Sequence, residues 1–290
     1  MTLRKVIDSG AHITPPRWLR DNLAYETMMG SVAYGVSNDS SDMDVYGVVM
    51  PPKELVFPHI TGEISGFGRQ IQRFSQWQEH GIKALDKTWD FSIYGIVNFM
   101  QLAMDNNPNI LDSIFTPVRC VISTTAVGTM IRENRRLLLH KGSWPKFKGY
   151  AYQQMSKIRS KKATGKRAEL IEKHGYDTKF AYHVVRLLNQ GEQILATGDM
   201  DIELCREQLK SVRRGEWTLE QLEEWAKTKE RTLDELYTKS TLRHGPDEPA
   251  VRQVLVDCLE HHYGSLSTLL NTVSDERRLL GQIAEIVKGY

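Results

Sequence analysis

Hydrophobic and polar positions divide this chain into two regimes near residue 125. Before that point, alternating segments mix with short periodic ones. After it, apolar residues recur three and four apart almost throughout, the spacing of buried helix faces. Tyr25 to Met29 reads as a strand feeding a Gly30-Ser31 turn, with a short helix over Val32 to Val36. Asp42 to Met50 alternates acidic or polar with apolar residues and stops at Pro51-Pro52, as an inner strand does. Trp89 to Tyr94 is another strand, followed by a periodic helix from Ile96 to Ala103 that ends at Asn106-Asn107-Pro108-Asn109. A second short helix holds Ile110, Leu111, Ile114 and Phe115.

Other parts of the first half read less regularly. Thr14-Pro15-Pro16 is expected to open a short helix through Trp18, Leu19 and Leu23, and residues 53 to 87 to form strand pieces and loops. Further on, Phe180 to Ala196, Thr218 to Leu236 and Pro249 to His261 read as helices. The expected fold class is therefore α+β, a mixed sheet with flanking helices over residues 1–125 and a helical domain over 126–290.

Composition places few demands on this picture. The chain has 290 residues, 40% hydrophobic and 26% charged, enough for one large or two ordinary cores. Mean hydropathy is −0.42, and no apolar run approaches the roughly 18–20 residues that span a bilayer. The start of the chain lacks the apolar core of a secretory signal, and Cys120, Cys205 and Cys258 have neither disulfide-framework nor zinc-ligand spacing. A reducing cytoplasm is the expected location.

Net charge is only +2, but its distribution is uneven. No Asp or Glu occurs between Asn134 and Ala168, while eleven Lys and Arg run from Arg135 to Arg167. Trp144, Phe147, Tyr150 and Tyr152 are interleaved with them. Such a stretch suits single-stranded RNA by stacking and phosphate attraction, and equally suits a solvated helix face with core aromatics.

The candidate chemistry lies in the first half. A Gly30-Ser31 turn offers exposed N–H groups and a hydroxyl to a phosphate, although Ser31 could also simply cap the next helix. Asp42 and Asp44, two apart on a strand, share a face. Carboxylates so placed repel unless a cation lies between them, and hard oxygen donors beside a phosphate site suit Mg²⁺. Taken alone, an Asp-x-Asp is more often an exposed loop or edge strand.

Gly30-Ser31, ten residues, then Asp42-Met43-Asp44 resembles the signature of the DNA polymerase β-like nucleotidyltransferase superfamily. Longer segments are similar to the YcgL-type predicted nucleotidyltransferases of bacteria and phages, one branch of which is associated with RNA repair. They are Asp42 to Val48, Asn107-Pro108-Asn109-Ile110-Leu111-Asp112, Phe147-Lys148-Gly149-Tyr150-Ala151-Tyr152, and His174-Gly175-Tyr176-Asp177-Thr178-Lys179 with His183, Arg186 and Arg206-Glu207. The likeness covers roughly residues 25 to 220. Asp112 departs from it, since Glu is expected there.

The resemblance implies that Asp90 is the third carboxylate beside Asp42 and Asp44, although it could instead be a turn former. The three would bind two Mg²⁺ (or Mn²⁺), with Asp90 also placed to take the acceptor proton. Gly30 and Ser31 would hold an NTP's β- and γ-phosphates, with Lys179, His183 and Arg186 as further nucleotide-binding residues. Asp177, Lys179, His183 and Arg186 could alternatively form a structural ion-pair face.

The expected function is transfer of an NMP from an NTP to an acceptor hydroxyl with release of pyrophosphate, the acceptor being an RNA or tRNA end. Nucleotidylation of a protein or small-molecule hydroxyl is the second reading, and a non-catalytic nucleotide-sensing module the third. His261-His262 has no partner cluster, and Asn107-Pro108-Asn109 reads as a helix stop.

Overall fold

The strand that carries Asp44 lies at the centre of a mixed five-stranded sheet of order β3-β4-β2-β1-β5. The strands are β1 (Leu23–Met28), β2 (Met43–Val49), β3 (Gln76–Ala84), β4 (Lys87–Gly95) and β5 (Val121–Thr124). This computed structural model describes residues 3–37, 41–57, 73–160 and 165–264. β1 runs antiparallel to both β2 and β5, and β3 antiparallel to β4, while β2 and β4 are parallel. A parallel pair needs a long crossover, supplied here by the chain between residues 50 and 86. Part of the expected 37–41 loop, and residues 58–72 of the irregular stretch expected from 53 to 87, lie outside the described residues.

Twelve α-helices flank or follow the sheet among the described residues. Those before residue 125 are α1 (Leu3–Asp8), α2 (Gly30–Ala33), α3 (Lys53–Val56), α4 (Ile96–Met104) and α5 (Pro108–Phe115). Then come α6 (Ala126–Glu133), α7 (Ser143–Ser160), α8 (Lys166–His174), α9 (Thr178–Thr197), α10 (Arg206–Arg213), α11 (Leu219–Lys239) and α12 (Glu248–Tyr263). Helix α9 is the axis of the second half. It packs against α7, α10 and α11 and buries residues around most of its circumference. α12 returns to α6 and α4, and Tyr263 donates its hydroxyl to the Pro51 carbonyl. One continuous hydrophobic core runs from the sheet into these helices.

Several expectations are corrected. The Thr14-Pro15-Pro16 segment opens no α-helix: only a 3₁₀ turn at Leu19–Asp21 forms, and Leu23 already belongs to β1. Neither α1 nor β5 was foreseen. α1 is tied down by tertiary contact, since the Leu3 N–H donates to buried Glu26 at 2.8 Å. The strand expected within residues 53 to 87 is β3, nine residues long. Pro108 starts α5 instead of stopping α4, because Asn107 caps the new helix through its side-chain oxygen. No described helix is long and apolar enough to cross a membrane.

Candidate active site

Register brings the carboxylates together. In the parallel pairing of β2 with β4, Asp44 stands opposite Asp90, and Asp42 precedes Asp44 by two residues at the mouth of β2. All three line a cavity of about 750 Å³ between the sheet and the helical half. On the other flank of Asp44, the Met29 N–H donates to the Asp44 carbonyl at 2.7 Å, and the chain turns sharply at Gly30. Gly30 has φ +59°, and a Cβ there would stand 1.9 Å from Asp44 Oδ2. Glycine is therefore required twice, for the left-handed backbone and for the close approach. Ser31 follows on the cavity wall.

Asp44 is the electrostatic centre of the wall. Burial and the neighbouring Asp90 push its carboxyl up to about 6, with Asp42 adding to the rise and Lys179 opposing it. Such strain is what a bound cation would relieve, and the donor set is all oxygen, as Mg²⁺ prefers. Asp42, Asp44 and Asp90 therefore fit a divalent ion. They form an open cradle: no three His, Cys, Asp or Glu side chains among the described residues are gathered into a closed metal-ligand cluster.

A bulge in β3 supports Asp90 from the far side. The register slips between Glu79 and Ile82, and Gly81 adopts φ +71°, a conformation glycine accepts freely. The Gly81 N–H donates to Asp90 Oδ1 at 2.7 Å, and the exposed His80 ring reaches the same oxygen at 3.6 Å. Neither residue was singled out from sequence, although a glycine inside a strand was the available signal.

The opposite wall comes from α8, α9 and α10. Lys179 is exposed on the first turn of α9 and lines the cavity, with no ion-pair partner among the described residues. A cation is disfavoured at a helix N-terminus, so its placement there points to the carboxylates and to an anionic ligand. His183 lies one turn on. Burial pushes its imidazole well below the ordinary range, helped by Arg186 and Lys179, so it presents a neutral ring with Nδ1 unpartnered.

Arg186, a further turn along, also borders the cavity but is largely committed elsewhere. It forms a buried ion pair with Asp112 of α5 and donates to the Tyr34 hydroxyl at 2.8 Å. Tyr34 donates to Asp112 Oδ2 at 2.6 Å, and the Gln190 amide to Oδ1 at 2.8 Å. Burial pushes the Asp112 carboxyl upward, while Arg186 and the two donors hold it back. The shorter acid at 112 thus binds Arg186 directly and fastens α9 to the chain just past Gly30-Ser31. Asp177 likewise serves the fold: it caps α9 and pairs with Arg167 at 2.9 Å. Arg213, overlooked in sequence, reaches the cavity from α10, donates to the Val36 carbonyl at 2.9 Å and lies over the Tyr182 ring.

Part of the basic-aromatic stretch is engaged within the fold. Trp144 and Phe147 are core residues, at 3% and 0% exposure. Lys148 pairs with Asp234, Arg159 with Glu223, Arg136 with Asp199, and Tyr152 donates to Glu230. Lys141 is buried over Tyr237, and Arg135 lies over Phe115. The stacking surface expected for RNA is therefore not presented by Trp144 or Phe147. Lys161 and Lys162 lie outside the described residues.

A Gly-Ser turn after β1, carboxylates on β2 and β4, and a cation facing them thus share one cleft. The chain matches the family model for RlaP, the RNA repair pathway DNA polymerase beta family, over residues 7–257, and it belongs to that family. Among solved structures, a nucleotidyltransferase-like protein from Exiguobacterium sibiricum 255-15 is similar at 10% identity, covering 86% of this chain and 69% of that one, with a TM-score of 0.29. No curated protein matches.

Proposed function

We propose that the enzyme transfers an NMP from an NTP to a hydroxyl at an RNA or tRNA end, with Mg²⁺ held by Asp42, Asp44 and Asp90. The observation that carries this reading is the direct pairing of Asp44 with Asp90 across β2 and β4, on the wall that faces Lys179. Two Mg²⁺ (or Mn²⁺) would supply Lewis-acid activation and charge neutralisation for an in-line displacement. The chain's own groups do the rest. The backbone N–H groups after Gly30 and the Ser31 hydroxyl hold the β- and γ-phosphates. Lys179 offsets their charge, and His183 offers a neutral ring nitrogen. Arg186 acts mainly by keeping the Gly30–Tyr34 turn in place. Asp90 receives the acceptor proton as the hydroxyl oxygen bonds to the α-phosphorus and the bond to pyrophosphate breaks.

In this reading residues 1–125 form the catalytic domain and 126–290 the helical domain that closes the cleft. The RNA acceptor rests on the family, whose description is RNA repair, more than on residues 135–167. Incubation with α-labelled NTPs and either total RNA or RNA-depleted lysate tests it. Label on RNA ends is expected, and label confined to protein or small molecules contradicts the acceptor.

A further inference from the structure

Beyond the triphosphate cavity lies a second, smaller hollow of about 310 Å³. It adjoins the first, sharing Leu170, Lys179 and Arg213 with it. Lys179, Lys210, Arg213 and Arg214 stand in its wall with the hydroxyl residues Ser37 and Thr178, and no carboxylate lines it among the described residues. Its place in the fold is informative. Across the sheet, Asp90 on β4 lies to one side of Asp44, and the Gly30-Ser31 turn after β1 lies to the other. The hollow is bordered by Val36 and Ser37, just past that turn, so it lies on the leaving-group side of the cleft.

The cations have local explanations that are weak. Lys210 and Arg214 lie at the C-terminal end of α10, where positive charge complements the helix dipole. Lys210 pairs with Glu207 at 3.0 Å and Arg214 with Glu216 at 2.5 Å, but both pairs are on the surface, where such contacts contribute little and exchange readily. Helix ends do not explain Lys179, which joins the group from the wrong end of α9 for a cation. Arg213 is held by the Val36 carbonyl, so its guanidinium is fixed against the segment that follows the phosphate turn.

We propose that this hollow is a binding site for inorganic pyrophosphate, taking up the leaving group as it moves away from Gly30-Ser31 past Lys179 and Arg213 to Lys210 and Arg214. The assignment rests on the nucleotidyl-transfer reading above. It makes product release a handover between two sets of cations, with Lys179 and Arg213 common to both.

The test uses the full chain and the double variant Lys210→Gln/Arg214→Gln, neither residue lining the triphosphate cavity. Calorimetric titration with inorganic pyrophosphate in EDTA reads the hollow, since without metal the carboxylate wall repels the anion. Titration with an NTP carrying a non-cleavable α,β-bridge, in Mg²⁺, reads the main cavity. The variant should weaken pyrophosphate at least about tenfold, while the NTP analogue changes less than about twofold. Lys210→Arg/Arg214→Lys, which keeps both charges, should restore pyrophosphate binding, and thermal melting checks that each variant is folded. Unchanged pyrophosphate affinity, or equal loss for both ligands, overturns the proposal. So does loss of single-stranded RNA affinity with pyrophosphate binding intact, which would make the hollow a strand site. Failure of the wild type to bind the NTP analogue counts against the transfer reading alone, and the pyrophosphate arm still decides the hollow.

Discussion

Gly30 and Asp44 are in van der Waals contact through an absent side chain: a Cβ on Gly30 would stand 1.9 Å from Asp44 Oδ2. The obstructing atom is the far end of a side chain, so Gly30→Ala can fold by pushing the carboxylate aside. The left-handed backbone at φ +59° adds a strain of about 1–3 kcal/mol. Activity should therefore fall much further than stability, by about a hundredfold or more if Asp44 leaves its place. Urea denaturation and a transfer assay on the same preparation check both halves.

Asp44 should leave a signature in the pH dependence of stability. Its folded value of about 6 exceeds the ordinary 3.8, so between pH 4 and 6 the native state binds the extra proton. Metal-free stability should fall as pH rises through that window and level off above it. Asp44→Asn should flatten this part of the profile, isolating it from the other acids. At pH 7, Mg²⁺ should raise the melting temperature of the wild type more than that of Asp44→Asn.

The Asp112–Arg186 pair should behave as structure first. Asp112→Ala leaves a buried guanidinium uncompensated and should cost about 3–5 kcal/mol in chemical denaturation. Arg186→Lys should lower the melting temperature as well, because an ammonium cannot serve Asp112 and the Tyr34 hydroxyl with one planar group. An Arg186→Lys variant of unchanged stability that loses only NTP affinity would show the residue to be chiefly a phosphate ligand.

What was legible in the sequence was what is local. Gly30-Ser31, Asp42 and Asp44 are read from short spacings, and the strand around Asp90 from alternation. The register that sets Asp90 against Asp44 is a long-range fact that the family resemblance anticipated and periodicity could not. Arg186 was named beside Lys179 by the family resemblance, but its partner Asp112 lies 74 residues away, so its main role was invisible. The bulge at His80–Gly81 depends on β3 finding β4 as its partner. The partners of the basic stretch were invisible for the same reason: its cations are adjacent in sequence, and the acids that answer some of them, Asp199, Glu223, Glu230 and Asp234, arrive some sixty to ninety residues later.

Those answered cations yield their own expectation. Lys148→Ala and Arg159→Ala should each change stability by less than about 1 kcal/mol, as exposed pairs do. Filter-binding to single-stranded RNA should change less than about twofold for either, since the carboxylate beside each cation, Asp234 or Glu223, repels an incoming phosphate. A large loss for Arg159→Ala would return the stretch to the role its composition first indicated.

The central claim is that the Asp44–Asp90 wall drives nucleotidyl transfer. The most direct measurement is release of pyrophosphate together with movement of α-label onto RNA, in Mg²⁺, for the wild type and for Asp44→Asn. Stoichiometric release and labelling by the wild type, abolished in the variant and by EDTA, is the predicted result. NTP binding without transfer, or transfer that survives Asp44→Asn, would contradict it.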